Sequence, residues 1–129
     1  MEHVAVAVQS LDEPAQLFGQ LLGLSSWRKE EIEDQQVITD IYNTGQGKIE
    51  LLLPTSGDSP ISKFLEKRGP GIHHIAFQVD DLRAWLRYLK QNGIELIDKE
   101  PRIGAEGFQI AFIHPRSTAG VLVELCQKT

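Results

Sequence analysis

The chain has 129 residues, 41% of them hydrophobic and 24% charged, and a formal net charge of −5. This is the make-up of an ordinary folded domain, and it excludes a disordered segment, which lacks the apolar surface to offset the entropy of ordering. No apolar run approaches the roughly 20 residues of a bilayer span, the acidic balance argues against a nucleic-acid partner, and the single cysteine, Cys126, excludes an internal disulfide framework or a cysteine-based zinc site.

Met1, Glu2 and His3 do not form a basic region leading into an apolar stretch, so no secretory leader is expected and a cytoplasmic location fits. Residues 3–8 (His-Val-Ala-Val-Ala-Val) read as a strand, and residues 11–22 follow with helical spacing. Ser10 or Asp12 caps that helix, Pro14 is acceptable in its first turn, and Gly23 stops it. Three strands are expected next, over 26–32, 37–43 and 48–53, with a Thr-Gly-Gln-Gly turn at 44–47 before the last. Residues 54–70 form a linker; within it 61–68 reads as a short helix, opened by Asp58, Ser59 and Pro60 and closed by Gly69. Then the pattern starts again. A strand is expected over 74–79 and a helix over 82–89, capped by Asp80 or Asp81 and ended at Gly93. Strands over 95–99, 108–114 and 121–126 complete the chain.

Each half therefore reads β-α-β-β-β, an internal repeat. One helix cannot cover both faces of a four-stranded sheet, so the two halves are expected to share an interior. The expectation is a single α+β domain over residues 1–129, with modules at about 1–54 and 71–129 and a linker helix within 58–69. The two βαβββ modules are expected to pair into a curved mixed sheet around a cleft, and clefts between repeats are common ligand sites.

The repeat also duplicates polar residues. His3 and His74 open the first strands of the halves, and Glu50 and Glu124 sit inside the last strands. A carboxylate among Val121, Leu122, Val123 and Leu125 is out of place unless it meets a partner. Two imidazoles and two carboxylates suit a divalent metal ion, here cobalt first, then nickel, manganese, zinc or iron. Four protein ligands leave up to two positions for water or substrate, as catalysis requires. Neighbours on a strand face opposite sides, so His73 is read as structural or solvent-facing. Trp85 and Tyr88 have ordinary core or interface spacing on the second helix, and Trp27 and Phe64 are likewise given no ligand-stacking role. Cys126 reads as a small packed residue.

Several segments together carry a family resemblance: residues 3–8, Gly47-Lys-Ile-Glu-Leu-Leu-Leu-Pro54, residues 58–69, Gly71-Ile-His-His-Ile-Ala-Phe77, Glu100-Pro-Arg-Ile-Gly-Ala105, His114-Pro-Arg-Ser-Thr118 and residues 120–125. Through them the chain resembles, over nearly its whole length, the vicinal oxygen chelate (glyoxalase-like) superfamily, and within it the methylmalonyl-CoA epimerases. The resemblance implies metal ligands at His3, His74 and Glu124, with Glu50 where the family has a fourth. It implies a malonyl-type thioester chelating the metal. Some members carry an acid/base glutamate on the strand here occupied by residues 37–41; an ungapped match puts Thr39 there, with Asp40 adjacent and facing the other way.

The expected reaction is the interconversion of methylmalonyl-CoA epimers, by removal and return of the proton between thioester and carboxylate. Glu124 is expected to be one acid/base group and Asp40 the candidate for the other. Coenzyme A carries phosphates, for which Lys63, Lys67, Arg68, Arg102 and Arg116 are the candidate cations. The expected partners are an acyl-CoA substrate and a second copy of the chain, with neither nucleic acid nor membrane. The runner-up readings are glyoxalase I and a ligand-sequestering binding protein on the same fold.

Overall fold

A computed structural model describes residues 1–129. The chain divides into two compact units, residues 3–73 and residues 74–129, the latter joined by residues 1–2. The linker helix thus belongs to the first unit. Residues 1–2 belong to the second because the Glu2 N–H donates to the Ala76 carbonyl at 2.8 Å, and the Glu2 carboxylate lies 3.6 Å from Lys128 Nζ.

The first unit comprises β1 (His3–Ala7), α1 (Asp12–Ala15), β2 (Ser25–Ile32), β3 (Val37–Asn43), β4 (Lys48–Pro54) and α2 (Pro60–Arg68). Its strands lie in the order β2-β3-β4-β1, with β1 parallel to β4 and the other pairs antiparallel. The expected helix over 11–22 is only partly α-helical: after Ala15 the turns widen to π over Gln16–Leu21. Gly19 in this stretch contributes little helix propensity. The wider turns end on Leu22 and Leu24, whose N–H groups donate to the carbonyls of Leu17 and Phe18 at 2.8 and 2.9 Å, and Gly23 between them has a φ of 69°. Phe18, Leu11 and Leu24 from this segment pack on Tyr42, Leu51 and Val8, covering one face of the sheet. On the other face, α2 packs through Ile61, Phe64 and Leu65 against Ala5, Ala7, Val37 and Leu52. Ser59 caps α2, its Oγ accepting from the Ile61 N–H at 3.2 Å.

The second unit repeats the plan with β5 (Gly71–Gln78, from His74 onward), α3 (Leu82–Gln91), β6 (Arg102–Ile103), β7 (Gln109–Ile113) and β8 (Val123–Gln127). The order is β5-β8-β7-β6, with β5 parallel to β8 and the rest antiparallel. Asp81 caps α3, its Oδ1 accepting from the Ala84 N–H at 3.1 Å. Leu82 and Leu86 bury the helix against Ala111, Ile113 and Leu125, each contributing about 1.5–3 kcal/mol of hydrophobic stabilisation. The strand expected over 95–99 does not form. Leu96 makes only an isolated bridge to Ile113, because the Asp98 carboxylate takes the Phe112 N–H at 2.9 Å and interrupts the ladder. The pairing resumes two residues after Glu100, at Arg102 and Ile103.

Candidate functional site

In the first unit the parallel ladder sets Ala5 beside Glu50, and His3 lies two residues before Ala5. With a side-chain period of two, His3, Ala5 and Glu50 share one face. Ala5 is fully buried and its methyl leaves the space between the longer side chains open. His3 Nδ1 stands 3.1 Å from Glu50 Oε2, both side chains buried.

The second unit builds the same arrangement. Ala76 lies beside Glu124, His74 precedes it by two residues, and His74 Nε2 stands 3.3 Å from Glu124 Oε1. Ala76 is again fully buried. One pair uses Nδ1 of the imidazole and the other Nε2, so the rings are turned differently on matching positions.

These pairs fit a divalent metal ion. Donors about 2.1 Å from an ion and at right angles to each other stand about 3.0 Å apart, and the two pairs measure 3.1 and 3.3 Å. Imidazole nitrogen and carboxylate oxygen are the donor types that such ions take. Burial also requires a positive partner, since a carboxylate out of water is costly without one.

The structure separates Asp40 from this face. Antiparallel register sets Ile41 beside Glu50 and Asp40 beside Leu51, so Thr39 and Ile41 share the face of Glu50 while Asp40 points to the other. There Asp40 accepts a 3.2 Å hydrogen bond from the Tyr42 hydroxyl, next to the Leu51–Tyr42 apolar cluster. Burial, then the Asp40 charge, then the hydrogen bond to Asp40 push the Tyr42 hydroxyl pKa up. Asp40, the expected candidate for the second acid/base group, therefore lies on the face opposite Glu50, as its alternation with Thr39 leads one to expect. Thr39, on the face itself, is buried and does not titrate.

Sequence reasoning missed Phe112. It pairs with Glu124 in the β7–β8 register and presents its ring edge-on to His74, centroids 5.1 Å apart and planes at 90°. The signal was the alternation of Phe108, Ile110 and Phe112, but the partner is visible only with the cross-strand register. His73 packs edge-on to Phe64 of α2 at 5.0 Å, in keeping with a structural role. Trp85 and Tyr88 are 44% and 57% exposed, so they are not core residues; their rings meet edge-to-face at 5.8 Å. Trp27 is also exposed, with Lys48 Nζ 6.0 Å from its ring centroid. Cys126 is buried, its thiol 3.6 Å from the Phe77 carbonyl.

Among the candidate cations, Lys63, Lys67 and Arg68 lie on α2, with Arg68 5.8 Å over the Phe64 ring. Arg102 pairs with Asp98 at 3.3 Å and lies 5.5 Å over the ring of Phe112. Arg116 pairs with Glu95 at 3.4 Å.

Residues 2–112 match the model of the Glyoxalase/Bleomycin resistance protein/Dioxygenase superfamily. The chain is 39% identical over 129 residues to the ethylmalonyl-CoA/methylmalonyl-CoA epimerase of Cereibacter sphaeroides, a match that covers 98% of this chain and 96% of the relative. It is 38% identical over 128 residues to the mitochondrial methylmalonyl-CoA epimerase of Homo sapiens, covering 98% of this chain and 73% of that protein. The fold superimposes with a TM-score of 0.92 on Streptomyces coelicolor methylmalonyl-CoA epimerase in complex with 2-nitronate-propionyl-CoA, at 32% identity, over 100% of this chain and 94% of the other. With its two βαβββ units and their mixed sheets, the chain belongs to the Glyoxalase/Bleomycin resistance protein/Dioxygenase superfamily, and within it to the methylmalonyl-CoA epimerases.

Proposed function

We propose that this protein interconverts the epimers of methylmalonyl-CoA, and that His3, Glu50, His74 and Glu124 together hold one divalent metal ion. The observation that carries the reading is the duplicated pair, His3–Glu50 and His74–Glu124, built on the same ladder positions in a chain that resembles epimerases along its whole length. When bound, such an ion supplies positive charge near the thioester oxygen, where negative charge builds as the α-proton leaves.

The chain's own residues then divide the remaining work. Glu124 takes up the proton in one direction of the reaction and supplies it in the other through a carboxylate oxygen. Phe112 fixes the His74 ring from one edge and keeps water from it. Glu50 takes the equivalent position in the first unit and is proposed as the second acid/base group, since Asp40 lies on the opposite face of β3.

The partner is an acyl-CoA, whose phosphates require cations; Lys63, Lys67 and Arg68 on α2 and Arg102 and Arg116 in the second unit remain the candidates. Cobalt is the ion proposed, and nickel, manganese, zinc and iron suit the same imidazole and carboxylate donors. Self-association as a dimer is proposed from β2, a sheet-edge strand that exposes Trp27. No helix is long and apolar enough to cross a membrane, and a cytoplasmic location is proposed. The chain is read as one domain over 1–129. Incubation of the protein with a single methylmalonyl-CoA epimer tests the function: the other epimer should accumulate to equilibrium, and its absence in metal-supplemented protein refutes the reading.

A further inference from the structure

One flank of α3 is basic without serving the histidine–glutamate pair. Arg83, Arg87 and Lys90 of the helix line a depression of about 380 Å³ together with Lys99, Glu100 and Leu86. Arg83 is engaged by Glu100 at 2.5 Å, whereas no carboxylate lies within ion-pair distance of Arg87, Lys90 or Lys99. Three uncompensated cations therefore gather around one concavity in a chain whose net charge is −5.

The depression lies away from the candidate site. α3 packs through Leu82 and Leu86 on Ala111, Ile113 and Leu125, and these alternate along β7 and β8 with Phe112 and Glu124, which face the other side. The basic rim is therefore no part of the His74–Glu124 environment. Arg87 and Lys90, three residues apart on a helix, are neighbours that repel each other, and so does Lys99 brought against them. A multivalent anion relieves that repulsion where single chloride ions do so weakly. The arginine fork bonds two phosphate oxygens at once and lysine adds point charges. The volume lies within the range of small-molecule sites, and the buried Leu86 gives the depression an apolar floor.

We propose that this depression is a second binding site, for a small anion carrying two or more linked phosphates. The proposal is independent of the reaction assigned above. Inorganic pyrophosphate and adenosine diphosphate are titrated separately into the full chain, with binding read by calorimetry and by amide chemical shifts. Saturable binding of one pyrophosphate per chain is expected, with shifts confined to α3 and the 96–101 segment. Arg87→Glu and Lys99→Glu should each weaken it about tenfold, because reversal replaces an attraction by a repulsion of similar size. Lys29→Glu, an exposed charge reversal on β2, should leave it unchanged. Tighter binding of adenosine diphosphate assigns the site to a nucleotide, and equal binding assigns it to the phosphates alone. The loop variant Lys99→Glu carries the test if Arg87→Glu fails to fold. Failure to saturate, or equal weakening by Lys29→Glu, overturns the proposal, as does capture of an acidic protein surface with no affinity for either phosphate.

Discussion

In residues 3–73 the His3–Glu50 pair shares its sheet face with α2, whose Ile61, Phe64 and Leu65 cover Ala7 and Leu52. In residues 74–129 the corresponding face carries Phe108, Ile110, Phe112, Leu122 and Cys126, and Phe112 leans directly on His74. The opposite faces differ too: Asp40 and Tyr42 lie in the first unit where Ala111 and Ile113 lie in the second. Yet the donor separations agree, at 3.1 and 3.3 Å. Ladder register alone, with an alanine between the long side chains, is enough to form the pair, and the packing around it is free to vary.

If the pairs are equivalent in function, they should fail together. Glu124→Gln and Glu50→Gln should each lower the epimerisation rate by about 10²–10⁴, the usual contribution of a positioned acid/base group, in protein shown to retain its fold. A loss confined to Glu124→Gln would make the first unit a holder only. In deuterated water, product should carry deuterium at the α-carbon, and each variant should suppress exchange from a different epimer. Turnover of methylglyoxal with glutathione should stay below that of methylmalonyl-CoA.

The difference between the opposite faces gives a stability contrast. Leu86→Ala should cost about 2–5 kcal/mol by leaving a cavity under α3, read from denaturant unfolding. Tyr42→Phe should cost about 1–3 kcal/mol, because the buried Asp40 loses its donor. Tyr42 also has a sign in pH. Its folded pKa is raised above the ordinary 10.0, so its contribution is complete below pH 10 and is lost as the pH rises through the folded value. The alkaline limb of unfolding should therefore be flatter in Tyr42→Phe.

Smallest of all should be the effect of Asp40→Asn on exchange: unchanged from both epimers within about twofold, with any cost falling on stability. Loss of exchange from one epimer would return Asp40 to the chemistry.

Much of this was legible in the sequence. The repeat, the caps at Ser59 and Asp81, the stop at Gly23 and the recurrence of a histidine and a glutamate at matching places in the two halves follow from spacing and turn chemistry. Even the opposed facing of Thr39 and Asp40 follows from the period of a strand. What was hidden depends on cross-strand or tertiary partners. The missing strand over 95–99 turns on one Asp98 side chain capturing a backbone N–H from β7. Phe112 meets His74 only through the β7–β8 register, which one-dimensional alternation does not specify. Trp85 and Tyr88 have core-like spacing, but Leu82 and Leu86 occupy the buried stripe and leave them exposed.

The central claim, that both pairs serve a single ion, is tested most directly by metal stoichiometry in the purified protein and in His3→Ala and His74→Ala. The account expects one divalent ion per chain in the parent protein and loss of that ion in each variant alone. Two ions per chain, or full retention in either variant, would contradict it.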